Sequence, residues 1–288
     1  MPGVRTHSLA CLSKTGFHRV AYRELGPGGA GSAHPVPVIC IHGLARNARD
    51  FDSLAAVLAA AGRRVVCVDI VGRGDSGWLR DPLDYGYPQY LADTAALIAR
   101  LDCEQVDIVG TSMGGLIGMM LAAQPDSPLR RLVMNDVGPF IPKAALARIL
   151  DYVGRDPRFA DLAAAETYHR ATYASFGVLS DPQWRHLTET SLRSADGGWR
   201  LHYDPRIALP LRAAELADVD LWALWDRVAC PVLVLRGAES DLLLPETATE
   251  MARRGPRAEV IEVPGCGHAP ALLEAAQTQP LRDWLAEE

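Results

Sequence analysis

Short, almost wholly apolar runs alternate with longer amphipathic ones along the first half of the chain. Val36 to Ile41, Arg64 to Val71, Val106 to Val109 and Leu132 to Asp136 have the length and Val/Ile content of strands buried on both faces. Phe51 to Ala61, with Gly62 just past its end, and Gln89 to Leu101 read as the helices between them. Phe17 to Leu25 alternates as an edge strand closed by Gly26-Pro27-Gly28-Gly29. The pattern breaks from Phe140 to Val228, where no strand run is visible and Ala, Leu, Arg and aromatics dominate. Such a stretch is too long and too apolar for a loop, so a helical insertion is expected there. Its tryptophans (Trp184, Trp199, Trp222, Trp225) are expected mainly as core. Strand pattern resumes at Pro231 to Gly237 and Ala258 to Val263, and Leu272 to Leu285 is a terminal helix. The fold class is therefore α/β: a mostly parallel central sheet flanked by helices. Residues 1–139 and 229–288 form its core and 140–228 an inserted helical cap.

Composition narrows the function classes. The chain has 288 residues, 49% of them apolar and 22% charged, as in ordinary globular enzymes. A net charge of −6 without a dense Lys/Arg stripe argues against a nucleic-acid partner. No run is apolar for long enough to cross a membrane, and Met1 to Lys14 has no leader pattern, so a cytoplasmic enzyme is expected. Cys11, Cys40, Cys67, Cys103, Cys230 and Cys266 form no C-x-x-C pair, so neither a metal nor a redox couple is indicated. No cofactor is called for. The expected partner is a small-molecule, ester-type substrate, and a homodimer stays open.

Gly110-Thr111-Ser112-Met113-Gly114 carries the chemistry. It stands between the Val106 to Val109 strand and a small-residue helix over Gly115 to Ala123, which makes it a strand-to-helix elbow with serine at the apex. Glycines on either side let strand and helix approach, and the helix N-terminus offers unpaired N–H groups beside the serine oxygen. A serine hydroxyl needs a base, and the base an orienting acid. His268, in the glycine-rich loop Pro264 to His268 after the last strand, is the expected base. Asp241, just after the penultimate strand, is the preferred acid; Asp136 is the alternative and Glu239 a weaker one. Asp241 also suits the N-cap of a helix over Leu242 to Met251. The N–H groups of Met113 and Leu44 are the expected oxyanion donors, and His42 reads as a hydrogen-bonding anchor of its loop.

On His42-Gly43-Leu44, the turn Asp69 to Ser76, Ser112-Met113-Gly114-Gly115, Asp241 and Gly267-His268, the chain resembles the α/β-hydrolase fold superfamily. The resemblance implies cofactor-free hydrolysis through an acyl-enzyme. A carboxylic ester or lactone of a small to medium, largely apolar substrate is the leading expectation. C–C bond hydrolysis of a vinylogous diketone is an alternative, weakened by Ala269 where those enzymes tend to carry tryptophan. A ligand receptor that keeps the fold is another. Dehalogenases and epoxide hydrolases use aspartate where this chain has Ser112. Gly72-Arg73-Gly74-Asp75-Ser76-Gly77 fits a dinucleotide fingerprint formally, but no helix pattern follows it, so it is read as a turn that shapes the pocket.

Overall fold

The computed structural model describes residues 3–27 and 34–287; Gly28 and Gly29, expected to close a strand, lie outside them. Eight strands make the main sheet: β1 (Arg5–Ser13), β2 (Gly16–Leu25), β3 (Val38–Ile41), β4 (Val65–Asp69), β5 (Val106–Thr111) and β6 (Leu129–Asn135), then, after the insertion, two more. Within the insertion lie five short strands: β7 (Phe140–Ile141), β8 (Arg158–Phe159), β9 (Leu192–Ala195), β10 (Gly198–Leu201) and β11 (Val219–Asp220). The main sheet is completed by β12 (Val232–Gly237) and β13 (Glu259–Val263). Its order is β1-β2-β4-β3-β5-β6-β12-β13, antiparallel at β1/β2 and β2/β4 and parallel elsewhere.

Helices cover both faces: α1 (Asp52–Ala60), α2 (Tyr87–Arg100) and α3 (Met113–Ala122) precede the insertion. The insertion holds α4 (Lys143–Leu150), α5 (Leu162–Thr172), α6 (Asp181–Thr190), α7 (Leu209–Ala213) and α8 (Trp222–Trp225). Beyond it come α9 (Pro245–Met251) and α10 (Ala275–Ala286). Alternate residues of the central strands serve opposite layers. Ile39, Ile41, Val66, Val68 and Ile108 join one apolar cluster, while Val38, Cys40, Val65, Cys67 and Val109 join the other. That double burial is why these strands read as unbroken apolar runs. The six cysteines are free.

Two sequence expectations are corrected. Residues 17–25 do not form an edge strand, because β1 pairs along the whole outer side of β2. Along β1 exposed and partly buried positions alternate, and its Arg, Thr, His and Ser residues hide the run. The insertion is not purely helical either: β8, β10 and β9 form a small sheet, and β11 pairs with β7. Strands of two to four residues are too short to show a period-two pattern. The β7–β11 pair, with Leu221 N–H donating to Pro139 O at 2.7 Å, clamps the two ends of the insertion together. The chain leaves after β6 and returns at β12, its sheet neighbour. Trp225 is fully buried and Trp184 nearly so, whereas Trp199 and Trp222 are half-buried.

Candidate active site

The parallel strands point their carboxyl ends at one rim, and the candidate residues gather there. Ser112 sits between β5 and α3 with φ 53° and ψ −115°, a left-handed conformation costly for a residue with a side chain. Its surroundings hold it in place. Ser112 N–H donates to Asn135 O at 2.9 Å, and its own carbonyl starts the helix by accepting from Leu116 at 3.1 Å. A methyl group on Gly110 would collide with the backbone of Gly114 and Gly115, and one on Gly114 with the Ile41 carbonyl. Strand, elbow and helix can approach this closely only because both positions are glycine.

His268 Nε2 lies 2.9 Å from Ser112 Oγ, and His268 Nδ1 lies 2.8 Å from Asp136 Oδ2. Asp136 is completely buried at the end of β6 and accepts two further hydrogen bonds, from Gly237 N–H at 2.7 Å and Ser240 Oγ at 2.6 Å. Three donors thus converge on this one carboxylate. A carboxylate oxygen accepting at Nδ1 fixes the proton on that nitrogen and leaves Nε2 free to accept from the serine. The preference for Asp241 as partner of His268 is corrected here. Asp241 is half exposed, and Arg148 of α4 donates to it from two nitrogens, Nε at 2.5 Å and Nη2 at 2.7 Å. Nor does it cap a helix: Ser240 Oγ accepts from Leu242 and Leu243 N–H, and α9 begins only at Pro245. Glu239 lies on the wall of the pocket beside His268 and makes no hydrogen bond to the imidazole among the described residues.

The loop after β3 supplies the other side. His42 Nε2 accepts from Ile70 N–H at 3.0 Å, so its proton is on Nδ1, which donates to Gly43 O at 2.7 Å. That bond sets the plane of the Gly43–Leu44 peptide and therefore the direction of the Leu44 N–H. Burial lowers the pKa of His42 to about 4, against the opposing pull of its bond to Gly43. It therefore stays neutral and keeps this tautomer at ordinary pH. Among the described residues, neither Leu44 N–H nor Met113 N–H has an acceptor. A pocket of about 690 Å³ opens beside His268, walled by Tyr152, Tyr168 and Ala174 and edged by Arg148, Arg155 and Asp241. Its rim is thus more charged than an apolar cleft.

Residues 38–280 match the alpha/beta hydrolase family. The chain belongs to that family. A 3-hydroxybutyrate-oligomer hydrolase of Cupriavidus necator is 46% identical over 278 residues, spanning 93% of each chain. An esterase of Mycobacterium tuberculosis is 28% identical over 233 residues, 75% of this chain and 71% of that one. The crystal structure of an alpha/beta hydrolase from Novosphingobium aromaticivorans superposes with a TM-score of 0.87 at 35% identity, covering 99% of both. The family relation makes this chain a hydrolase with hydrolase relatives.

Several supports of this hydrolase site were not evident from sequence. Ser175 of the insertion donates to the His268 carbonyl at 2.5 Å and accepts from Gly267 N–H at 2.7 Å, tying the histidine loop to the inserted segment. Asp69 accepts from Ala48 N–H at 2.7 Å and Asp75 N–H at 2.9 Å, joining the β3 loop to the turn after β4. Burial pushes its pKa up to about 6. No helix opens at Gly77, as the rejected dinucleotide reading would require. Away from the site, Cys11, His18 and Asp93 converge in one buried group with metal-ligand chemistry. His18 Nε2 and Gln89 Nε2 already occupy the Asp93 oxygens, at 2.8 and 2.7 Å. Burial pushes the Cys11 thiol up to about 12, so it stays protonated. The group is a hydrogen-bonded clamp between the β1–β2 hairpin and α2.

Proposed function

We propose that this hydrolase is a serine carboxylic-ester hydrolase with Ser112 as nucleophile, His268 as general base and Asp136 as the orienting acid. The continuous relay from Ser112 Oγ through His268 to Asp136, with links of 2.9 and 2.8 Å, is the observation that carries the proposal. Ser112 Oγ attacks the ester carbonyl carbon while its proton passes to His268 Nε2. The carbonyl oxygen becomes an anion facing the N–H groups of Leu44 and Met113. Collapse expels the alcohol, which takes the proton back from His268 and leaves an acyl group on Ser112. Water, deprotonated by the same imidazole, then releases the acid. Asp136 holds the Nδ1–H and stabilises the imidazolium at each transfer.

Residues 140–228 serve as a cap over this site, and their Tyr152, Tyr168 and Ala174 offer the apolar surface for the substrate. The pocket's mixed lining, tyrosine walls with a guanidinium rim, suits short oligoesters of hydroxy acids, which alternate methylene and ester groups. The relative of 46% identity is named for such a substrate. Linear dimers and trimers of 3-hydroxybutyrate, with p-nitrophenyl butyrate as reporter, are therefore the substrates to test. Wild-type protein should release 3-hydroxybutyrate and p-nitrophenol, and Ser112→Ala should do neither. Equal inertness of both proteins, with a ligand still bound, would instead make the chain a receptor on a hydrolase fold.

A further inference from the structure

The turn Gly72 to Gly77 left one residue without an evident task. Arg73 has no exposed surface at all, and among the described residues no carboxylate stands within ion-pair distance of it. Its guanidinium is held by neutral groups instead. Nε donates to Leu44 O at 2.8 Å, and Nη1 donates to Val71 O at 2.8 Å and to Tyr90 Oη at 3.0 Å. Nη2 faces Met113 Sδ at 3.9 Å. The Tyr90 and Tyr85 rings lie 5.0 and 5.8 Å from the guanidinium carbon. Behind Tyr85 is Asp204, already engaged by the Tyr85 hydroxyl and by Arg206. The turn itself is stapled to the insertion: Gly74 N–H donates to His202 O at 2.9 Å and Asp204 N–H to Gly72 O at 2.8 Å.

A buried, unneutralised guanidinium is unfavourable in a resting protein. It becomes favourable when an anion forms nearby in the same dry region, because the field is fixed in advance. Arg73 touches the two residues, Leu44 and Met113, whose N–H groups lack acceptors beside Ser112. We infer that Arg73 is a positioning residue that fixes these two donors and whose unneutralised charge favours the tetrahedral oxyanion over the planar ester. This rests on the serine-esterase reading. The effect falls on the transition state, so kcat should suffer and KM should not.

Arg73→Met and Arg73→Lys, assayed with p-nitrophenyl butyrate, test this. The methionine variant should lose about a hundredfold in kcat, the range for one oxyanion donor, with KM nearly unchanged. The lysine variant, which keeps the charge, should recover a substantial part. Inhibition by butylboronic acid, whose serine adduct is a tetrahedral anion, should weaken in parallel with kcat. A kcat within a fewfold of wild type, or a loss seen in KM alone, would overturn the inference. If the methionine variant does not fold, the polar but uncharged Arg73→Gln takes its place and boronate affinity of that folded variant decides: a loss supports Arg73, while unchanged affinity refutes it. Ser112→Ala run alongside separates the two claims, since turnover surviving that change defeats the serine reading itself.

Discussion

Replacing Asp136 by asparagine should disable the enzyme while leaving its shape intact, and the reason lies in which oxygen does what. Asp136 Oδ1 accepts from the main-chain Gly237 N–H at 2.7 Å, whereas Oδ2 accepts from Ser240 Oγ and from His268 Nδ1. An asparagine must keep its carbonyl oxygen toward Gly237, because an amide N–H there would oppose another N–H. Its amide nitrogen then faces His268, so Nδ1 must become the acceptor and the proton moves to Nε2. In that tautomer the imidazole has no lone pair for the Ser112 hydroxyl. The same tautomer error in serine proteases lowers kcat about 10⁴-fold, or about 5.5 kcal/mol of activation free energy. Asp241→Asn should behave differently. Asp241 and Arg148 form a half-exposed pair, worth about 1 kcal/mol or less to stability, and kcat should change only a fewfold. Steady-state hydrolysis of p-nitrophenyl butyrate, with a melting curve to verify folding, compares the two. A larger loss in kcat for Asp241→Asn than for Asp136→Asn would refute the assignment.

Further predictions concern the supports of the site. His42→Phe removes the bond that sets the Gly43–Leu44 peptide; kcat should fall by about one to two decades, and an unchanged kcat would deny the Leu44 N–H its role. Ser175→Ala removes the hydroxyl bonded to the His268 carbonyl; kcat should drop modestly, with little change in melting temperature, and no change would show that the insertion does not steady the histidine loop. His169 is buried and, among the described residues, neither ring nitrogen has a partner within normal hydrogen-bond geometry; burial, aided by the Arg46 charge, lowers its pKa to about 3. The unfolded chain therefore takes up this proton near pH 6.5 and the native protein does so only near pH 3, so stability falls as pH drops across that interval. Urea denaturation should show His169→Phe gaining about 2 kcal/mol on wild type between pH 6.5 and pH 5; parallel curves would refute this. Asp69, whose raised pKa acts in the opposite sense, is common to both proteins and cancels in the comparison.

The sheet was legible because its central strands are buried on both faces, so Val38–Ile41, Val65–Asp69 and Val232–Gly237 announce themselves as apolar runs. The elbow was legible because its steric demand for glycine on both sides of Ser112 leaves a local signature. What escaped notice depends on contacts that no local pattern encodes. The strand β1 alternates too weakly, and the insertion's strands have no room to alternate at all. Arg73 looked like part of a turn because nothing nearby in sequence reveals that its side chain ends under the residues flanking Ser112.

The choice between Asp136 and Asp241 shows where such reading fails. Chain order and placement after a strand admit both, and the later residue sits closer in sequence to His268. Burial separates them. Asp136 follows directly on the buried second half of β6, Leu132-Val133-Met134-Asn135, so the chain carries its carboxylate inward, where it must be met by donors. Asp241 comes after the turn Ala238-Glu239-Ser240, four residues beyond β12, far enough for the chain to regain the surface and pair with Arg148. A carboxylate that can reach solvent can be satisfied by water and a surface cation, whereas one sealed in the core depends on the donors folded around it, here Gly237 N–H, Ser240 Oγ and the His268 imidazole. The same logic makes Ser240 informative: its hydroxyl donates to Asp136 while accepting from Leu242 and Leu243 N–H. Ser240→Ala would therefore strip one donor from the acid and two acceptor contacts from the loop. It should slow hydrolysis much less than Asp136→Asn does, while lowering stability by about 1–3 kcal/mol. A rate loss as deep as that of Asp136→Asn would move the decisive hydrogen bond from His268 to Ser240.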